Sequence, residues 1–310
     1  MIDAALQIDL AGIPMANPVV LLSGCVGFGE ELAALEGFDF SSVGAICLKG
    51  TTLEPRQGNA PPRLAETPAG LLNAIGLQNP GARHVVEQIL PRLARLPTRW
   101  IANISGATVA EYAAVAQLFD DSPIDGIEIN VSCPNVKEGG AAFGAEATSV
   151  AQVVAAVRRV TSKPIITKLS PNVTDIRPIA RAAIEEGTDA FSAINTLMGM
   201  AVDIDRRCAV LGNRQGGLSG PAVKPVALLK VWQLYQVAAP HGIPIIGQGG
   251  IDSATDAIEF LLVGSAAVGI GTALFRDPLI SRSVVEGIAH YLAKHRLTTV
   301  AALTGTLRNA

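Results

Sequence analysis

Charge is scarce in this sequence: Asp, Glu, Lys and Arg make up only 16% of 310 residues, against about 25% in an average soluble domain. With hydrophobic residues at 49%, disorder and polyelectrolyte tails are excluded and the chain must bury much of itself. The 24 Lys and Arg nearly balance the 27 Asp and Glu, leaving a net charge of -3. This argues against the clustered cations on which a generic nucleic-acid surface depends. Long hydrophobic runs are missing too. The most membrane-like window, Phe260 to Phe275, falls short of the roughly 18 to 20 residues a spanning helix needs and is interrupted by Gly264, Ser265, Gly269, Gly271 and Thr272. The N-terminal residues show no basic segment ahead of an apolar one, so neither a signal nor a transit peptide is expected, and the expected location is the cytoplasm.

Cysteine spacing excludes further classes. Cys25, Cys47, Cys133 and Cys208 form no C-x-x-C pair, which leaves no zinc knuckle and no iron-sulfur binding run. His84, His241, His290 and His295 lie outside every motif described below, which argues against a Ser-His-Asp hydrolase or a His-ligated metal centre; no metal is expected.

What is present is a recurrence of short apolar, β-branched runs: Pro18 to Leu22, Ala45 to Leu48, Trp100 to Ile104, Gly126 to Val131, Pro164 to Leu169, Ala190 to Ile194, Ile243 to Ile246 and Ala267 to Ile270. Runs of this kind suit strands buried on both faces of a parallel sheet. Helical patterns lie between several of them. Val150, Val153, Val154, Val157 and Val160 repeat at helix spacing, as do Ile176, Ile179, Ala180, Ala183 and Ile184, with Thr174 the expected cap and Gly187 the expected stop. Eight strands alternating with helices predict an α/β fold, a (β/α)8 TIM barrel, spanning 1–310 as a single domain. Two long loop insertions, Lys49 to Gly81 and Leu197 to Lys224, would follow strands and so lie at the C-terminal mouth, where barrel enzymes keep their chemistry.

Three constellations point at that mouth. Ile245-Ile246-Gly247-Gln248-Gly249-Gly250-Ile251-Asp252-Ser253, followed by Val268-Gly269-Ile270-Gly271-Thr272, twice runs a strand into glycines and then a helix. Bare backbone N–H groups at such turns suit a phosphate, and Ser253 with Asp256 reads as a capping-box variant. The second is Glu128-Ile129-Asn130-Val131-Ser132-Cys133-Pro134-Asn135-Val136-Lys137-Glu138-Gly139-Gly140, which sets a thiol on a glycine-flanked loop past a strand end, where it can act as base or nucleophile. The third is a set of polar residues ending apolar strands: Lys49, Asn103, Asn130, Lys168, Asn195 and Thr196, joined by Asn73 from the first insertion. Such groups are costly to bury without partners, so they imply a polar, planar ligand.

Leu48-Lys49-Gly50-Thr51, Asn73-Ala74-Ile75-Gly76-Leu77, Asn130-Val131-Ser132-Cys133-Pro134-Asn135, Ile194-Asn195-Thr196 and Gly249-Gly250 together resemble dihydroorotate dehydrogenase, from about Leu10 to Ile280. Cys133 is similar to the base of the class 1 enzymes, and Val136 to Gly140 and Leu197 to Ile204 look more like type 1B, the NAD-linked form, than type 1A. The resemblance implies FMN held by Ser23, Lys49, Gly50, Asn103, Asn130, Lys168, Ile194, Gly220, Gly249, Gly250, Gly271 and Thr272. It implies dihydroorotate or orotate held by Lys49, Asn73, Ala74, Ile75, Gly76, Leu77, Asn130, Asn195 and Thr196. By the same resemblance Cys133 takes a proton from C5 of dihydroorotate while hydride leaves C6 for the flavin, and Lys168 stabilises the charge that develops on the reduced ring. A homodimer core with a second subunit bearing FAD and a 2Fe-2S cluster, giving a heterotetramer, is implied as well. Two departures stand out: Cys25 where the family more often has threonine, and Gln248 where methionine is expected. The alternatives are a fumarate-linked type 1A enzyme, a dihydropyrimidine dehydrogenase module, a tRNA dihydrouridine synthase-like flavoprotein and an idle scaffold barrel.

Overall fold

The computed structural model describes residues 4–131 and 144–308. Eight parallel strands close on one another in sequence order: β1 Val19–Leu21, β2 Ala45–Cys47, β3 Arg99–Ile104, β4 Gly126–Asn130, β5 Ile165–Leu169, β6 Ala190–Ala193, β7 Ile245–Gln248 and β8 Ala267–Ile270. The ring is completed where Val268 of β8 pairs with Val19 of β1. The chain is therefore a TIM barrel. Around it lie the helices α1 Val109–Asp120, α2 Ala147–Arg158, α3 Arg177–Glu185, α4 Lys224–Ala238, α5 Ala254–Leu262 and α6 Ile280–Lys294.

The strands are mostly apolar because both of their faces are covered. Ile127 and Ile129 of β4 join the outer cluster beneath the helices, whereas Val20, Ala45, Ile101, Ile166, Ala190, Ile246 and Ala267 fill the barrel interior. The N-terminal end of the barrel is plugged by an antiparallel hairpin, Ile8–Leu10 with Ile13–Met15, whose Leu10, Ile13 and Met15 pack into that interior. Its two-residue turn has positive φ at both Ala11 and Gly12, the geometry that matches strand twist, and Asp9 Oδ1 accepts the Gly12 N–H at 2.7 Å.

The helix faces follow the sequence pattern: Val150, Val153, Val154 and Val157 of α2 and Ile179, Ala180 and Ala183 of α3 are buried, and Gly187 stops α3 at φ +89°. The expected Thr174 cap is corrected, because α3 begins at Arg177 after Ile176. Asp175 sits closer and accepts the Arg177 backbone N–H at 3.0 Å and its guanidinium at 2.9 Å. Strand β7 lies two residues further along than expected. Gly247, read as a turn, is inside the strand because helix α5 and the turn after it press against it: a Cβ there would sit 2.0 Å from Ser265 Oγ and 2.7 Å from Phe260 Cδ1.

The two insertions are not simply loops. Leu197–Gly199, Gly216–Ser219, Gly70–Asn73 and Leu64–Thr67 form, in that order, a four-stranded antiparallel sheet that joins both insertions. Its glycines allow close approach, since a Cβ on Gly217 would lie 2.0 Å from Thr196 Oγ1. A small hairpin, Val202–Asp203 with Cys208–Ala209, projects from the second insertion. Among the described residues no helix is long and apolar enough to cross a membrane.

Candidate active site

Side chains alternate across a strand with period two, and along the inward face five of the eight strands change character as they near their C-terminal ends. Ala45 is followed by Cys47, Ile101 by Asn103, Ile166 by Lys168, Ala190 by Ser192 and Ile246 by Gln248; all ten are buried. The barrel interior is thus aliphatic below and polar above.

The polar layer converges on Glu128 of β4, which is 1% exposed. Its Oε1 accepts from Asn103 Nδ2 at 2.5 Å, Cys47 Sγ at 3.2 Å and Lys168 Nζ at 3.4 Å, and its Oε2 accepts from Ser192 Oγ at 2.6 Å. Burial acts to push the Glu128 carboxyl up. The Lys168 ammonium and the hydrogen bonds from Ser192, Cys47 and Asn103 outweigh it and hold the group below the ordinary carboxylate value. Burial acts to lower Lys168, and the Glu128 charge raises it above the ordinary lysine value. Cys47 is driven well up by burial and by the carboxylate beside it, so it stays a thiol.

A chain of amides links this layer to the space above. Asn195 Nδ2 donates to Asn130 Oδ1 at 3.2 Å, and Asn130 Nδ2 donates to Asn103 Oδ1 at 3.5 Å. The Asn130 backbone carbonyl is fixed from behind by the buried Tyr112 hydroxyl at 2.9 Å and Ser105 Oγ at 3.3 Å. Tyr112→Phe is therefore expected to cost about 1 to 2 kcal/mol of stability, read as a lower urea midpoint with an unchanged slope; an unchanged midpoint would show that the bond to Asn130 contributes nothing.

Above the polar layer opens a cavity of about 480 Å³, within the range of small-molecule and cofactor sites. From the residues expected to hold a cofactor it is lined by Ser23, Lys49, Gly50, Asn130, Lys168, Ile194, Gly220, Gly249, Gly250, Gly271 and Thr272, and from those expected to hold substrate also by Asn73, Ile75, Gly76, Leu77, Asn195 and Thr196. Asn103 and Ala74 are the exceptions. Asn103 is fully buried behind Asn130, and Ala74 packs with Leu72 and Leu211 under the antiparallel sheet. Cys133 lies outside the described residues. The four histidines are exposed and line no part of the cavity.

The glycine end of the cavity is built for close backbone approach. Gly220, Gly249 and Gly250 have φ of +90°, +122° and +84°, and a Cβ on Gly250 would meet Gly220 O at 2.8 Å and Lys224 N at 3.0 Å. Helix α5 opens just beyond, with the expected box present: Ser253 Oγ accepts the Asp256 N–H at 3.3 Å and Asp256 Oδ2 accepts the Asp252 N–H at 3.0 Å. After β8 the glycine leads into a short 3-10 turn, Thr272–Phe275, not directly into an α-helix. Thr272 Oγ1 bonds Ser219 Oγ at 2.7 Å, tying this turn to the inserted sheet.

Several lining residues carried no expected role, among them Leu22, Leu71, Leu218, Ser219 and Phe275. Cys25 and Gln248, noted only as departures, also line the cavity. Burial pushes the Cys25 thiol up to about 11 despite Lys168 and Lys49 nearby, so it is protonated at neutral pH. Gln248 Nε2 donates to the Ile194 carbonyl at 3.1 Å, while its buried Oε1 has no hydrogen-bond partner. That oxygen is an orphaned acceptor on a residue that lines the cavity.

A barrel with a polar floor, a glycine cradle and a covering sheet defines a ligand-binding enzyme of the TIM-barrel class. The family model described as dihydroorotate dehydrogenase matches residues 5–292, and the chain belongs to that family. Among its relatives, "Dihydroorotate dehydrogenase B (NAD(+)), catalytic subunit" of Geotalea daltonii is 49% identical over 304 residues, covering 98% of each chain. The protein of the same description from Desulforamulus reducens is 50% identical over 301 residues, covering 97% of each, and that from Bacteroides thetaiotaomicron is 48% identical over 305 residues, covering 98% of this chain and 99% of the other. The crystal structure of DHODH from Eimeria tenella in complex with ferulenol matches the fold with a TM-score of 0.82 at 22% identity, over 98% of this chain and 89% of that one.

Proposed function

We propose that this chain, acting as one barrel unit over 1–310, oxidises dihydroorotate to orotate with FMN bound in the mouth cavity. In this reading it is the catalytic subunit of an NAD+-linked enzyme of pyrimidine (UMP) biosynthesis. The observation that carries the proposal is a single cavity with two chemically distinct ends, a glycine cradle beside a helix N-terminus and a floor of ammoniums and amides.

The residues present fit FMN. A phosphate suits the bare N–H groups at Gly249 and Gly250 beside the capped start of α5, where a Cβ on Gly250 would press on the Gly220 carbonyl and Lys224 and force the turn to shift. The unpartnered Gln248 Oε1 suits a donor of the ligand. Ser23, Gly50, Asn130, Lys168, Ile194, Gly271 and Thr272 line the wall between these points. When bound, FMN supplies the acceptor for the two electrons removed from substrate.

This chain's own residues supply the rest. Lys49, Asn73, Asn130, Asn195 and Thr196, with the backbone of Ile75, Gly76 and Leu77, offer donors and acceptors to a planar, carboxylate-bearing ring. Lys168 presents a fixed positive charge where negative charge develops. Asn103 and Ala74 act from behind, supporting Asn130 and the substrate-side backbone. Cys133 takes the C5 proton as general base. Gly250→Ala is expected to weaken FMN binding about 5- to 150-fold, the equivalent of about 1 to 3 kcal/mol of overpacking. Fluorescence titration of flavin-free protein checks this, and wild-type affinity would remove the cradle from the phosphate site.

The relatives' description as catalytic subunits supports a partner. The proposal gives it FAD and a 2Fe-2S cluster, docked on a homodimer core to make a heterotetramer; exposed Met200, Val202 and Ile204 are apolar surface that association would cover. A cytoplasmic setting goes with this reading and with Cys25, Cys47 and Cys208 being free thiols. The acceptor assay tests it: dihydroorotate oxidation coupled to NAD+ is expected only with the partner subunit added. Rapid turnover by this chain alone with fumarate would replace the NAD-linked reading with the fumarate-linked one.

A further inference from the structure

We propose that Glu128 is a positioning residue of this site: accepting from side chains on four other strands, its carboxylate holds the Lys168 ammonium at the cavity floor and fixes the direction of the amide chain Asn103, Asn130, Asn195. The effect on the reaction rests on the FMN-dependent reading above. The positioning rests on the contacts alone.

The four donors come from β2, β3, β5 and β6, so one carboxylate on β4 ties together five of the eight strands at the level just below the cavity. A carboxylate can only accept. Asn103 must therefore turn its NH₂ toward Glu128, which leaves its oxygen for Asn130; Asn130 in turn presents its NH₂ downward and its oxygen to Asn195. The Asn195 oxygen then accepts the Thr196 N–H at 2.8 Å. The pattern of donors and acceptors that reaches the cavity at Asn130 and Asn195 is thus set by a group that does not line it.

Charge follows the same geometry. The Lys168 and Glu128 side chains are 7% and 2% exposed, and an ammonium so placed stays charged only while a counter-charge faces it. Among the described residues, the other titratable groups that act on Lys168 are the protonated thiols of Cys47 and Cys25, with the second cation Lys49 across Cys25. None of these replaces the carboxylate. The raised Lys168 and lowered Glu128 agree with this arrangement.

Glu128→Gln keeps the shape and removes the charge. In flavin-free protein, NMR of the Lys168 side chain, assigned through Lys168→Met, should show the ammonium charged across the neutral range in the wild type and titrating at least about two pH units lower in Glu128→Gln. In flavin-loaded protein, the pH dependence of the midpoint potential should show one proton taken up per two electrons in the wild type, the reduced ring being held as its anion, and two in the variant. An unchanged Lys168 titration or an unchanged proton count overturns the proposal. Glu128→Asp covers the case in which Glu128→Gln does not fold: it should keep Lys168 charged yet weaken orotate binding about tenfold by drawing the amide chain away, and wild-type orotate affinity would refute the amide half. If instead the wild type binds neither flavin nor orotate, the functional reading fails while the Lys168 titration still decides the role of Glu128.

Discussion

Cys133→Ala is expected to slow flavin reduction by dihydroorotate about 10²- to 10⁴-fold, the usual loss when a general base is removed, while FMN stays bound and the barrel stays folded. The expectation follows from the division of labour in the cavity. In the proposed function Lys49, Lys168, Asn73, Asn130 and Asn195 bind and orient, and Cys25, the thiol that lines the described cavity, is held protonated with its pKa pushed up to about 11. None of the four histidines lines the cavity. In the proposed mechanism proton removal falls to Cys133. Stopped-flow absorbance under anaerobic conditions measures the effect directly. A Cys133→Ala protein that reduces its flavin at the wild-type rate would remove Cys133 from the mechanism, and one that loses flavin would give the residue a structural part.

Lys168→Met is expected to be the most destabilising single change at this site, by about 3 to 5 kcal/mol, because it leaves the Glu128 carboxylate buried without its counter-charge. Its pH dependence reverses as well. In the wild type the Glu128 carboxyl lies below its unfolded value, so the stability it contributes is present above the ordinary carboxylate range and lost as pH falls through the lowered value. In Lys168→Met the folded carboxyl lies above its unfolded value. Lowering the pH through that raised value then protonates the folded state first and recovers stability. Adding Glu128→Gln to Lys168→Met should relieve much of the loss. Urea unfolding across the acid range measures both effects, and a double variant no more stable than Lys168→Met would show that the charge pair is not the source.

The barrel was legible because its strands are apolar on both faces and short, a pattern few other architectures produce. The floor of the site was partly legible for the same reason: Lys168 and Asn130 interrupt runs that otherwise bury only hydrocarbon. Glu128 stood in the same motif as Asn130, yet its importance lies in donors from β2, β3, β5 and β6, which no local pattern brings together. Period-two alternation could have flagged Ser192 and Gln248, since each stands two residues beyond an inward-facing aliphatic. The covering sheet was not legible. Its pairing joins Asn73 to Gly217, and two glycine- and proline-rich insertions carry no periodic signal from which such a register follows. Asn103 and Ala74 show a further limit: a motif identifies a segment near a ligand, but not which of its side chains points away.

The measurement that tests the account most directly is an anaerobic absorbance spectrum of the purified, flavin-loaded chain before and after one equivalent of dihydroorotate. The oxidised flavin band is expected to bleach, with one orotate formed per flavin, without NAD+ or any partner subunit. A band that stays unchanged in folded, fully loaded protein would contradict it, leaving the barrel and its cofactor cavity but removing dihydroorotate as the substrate.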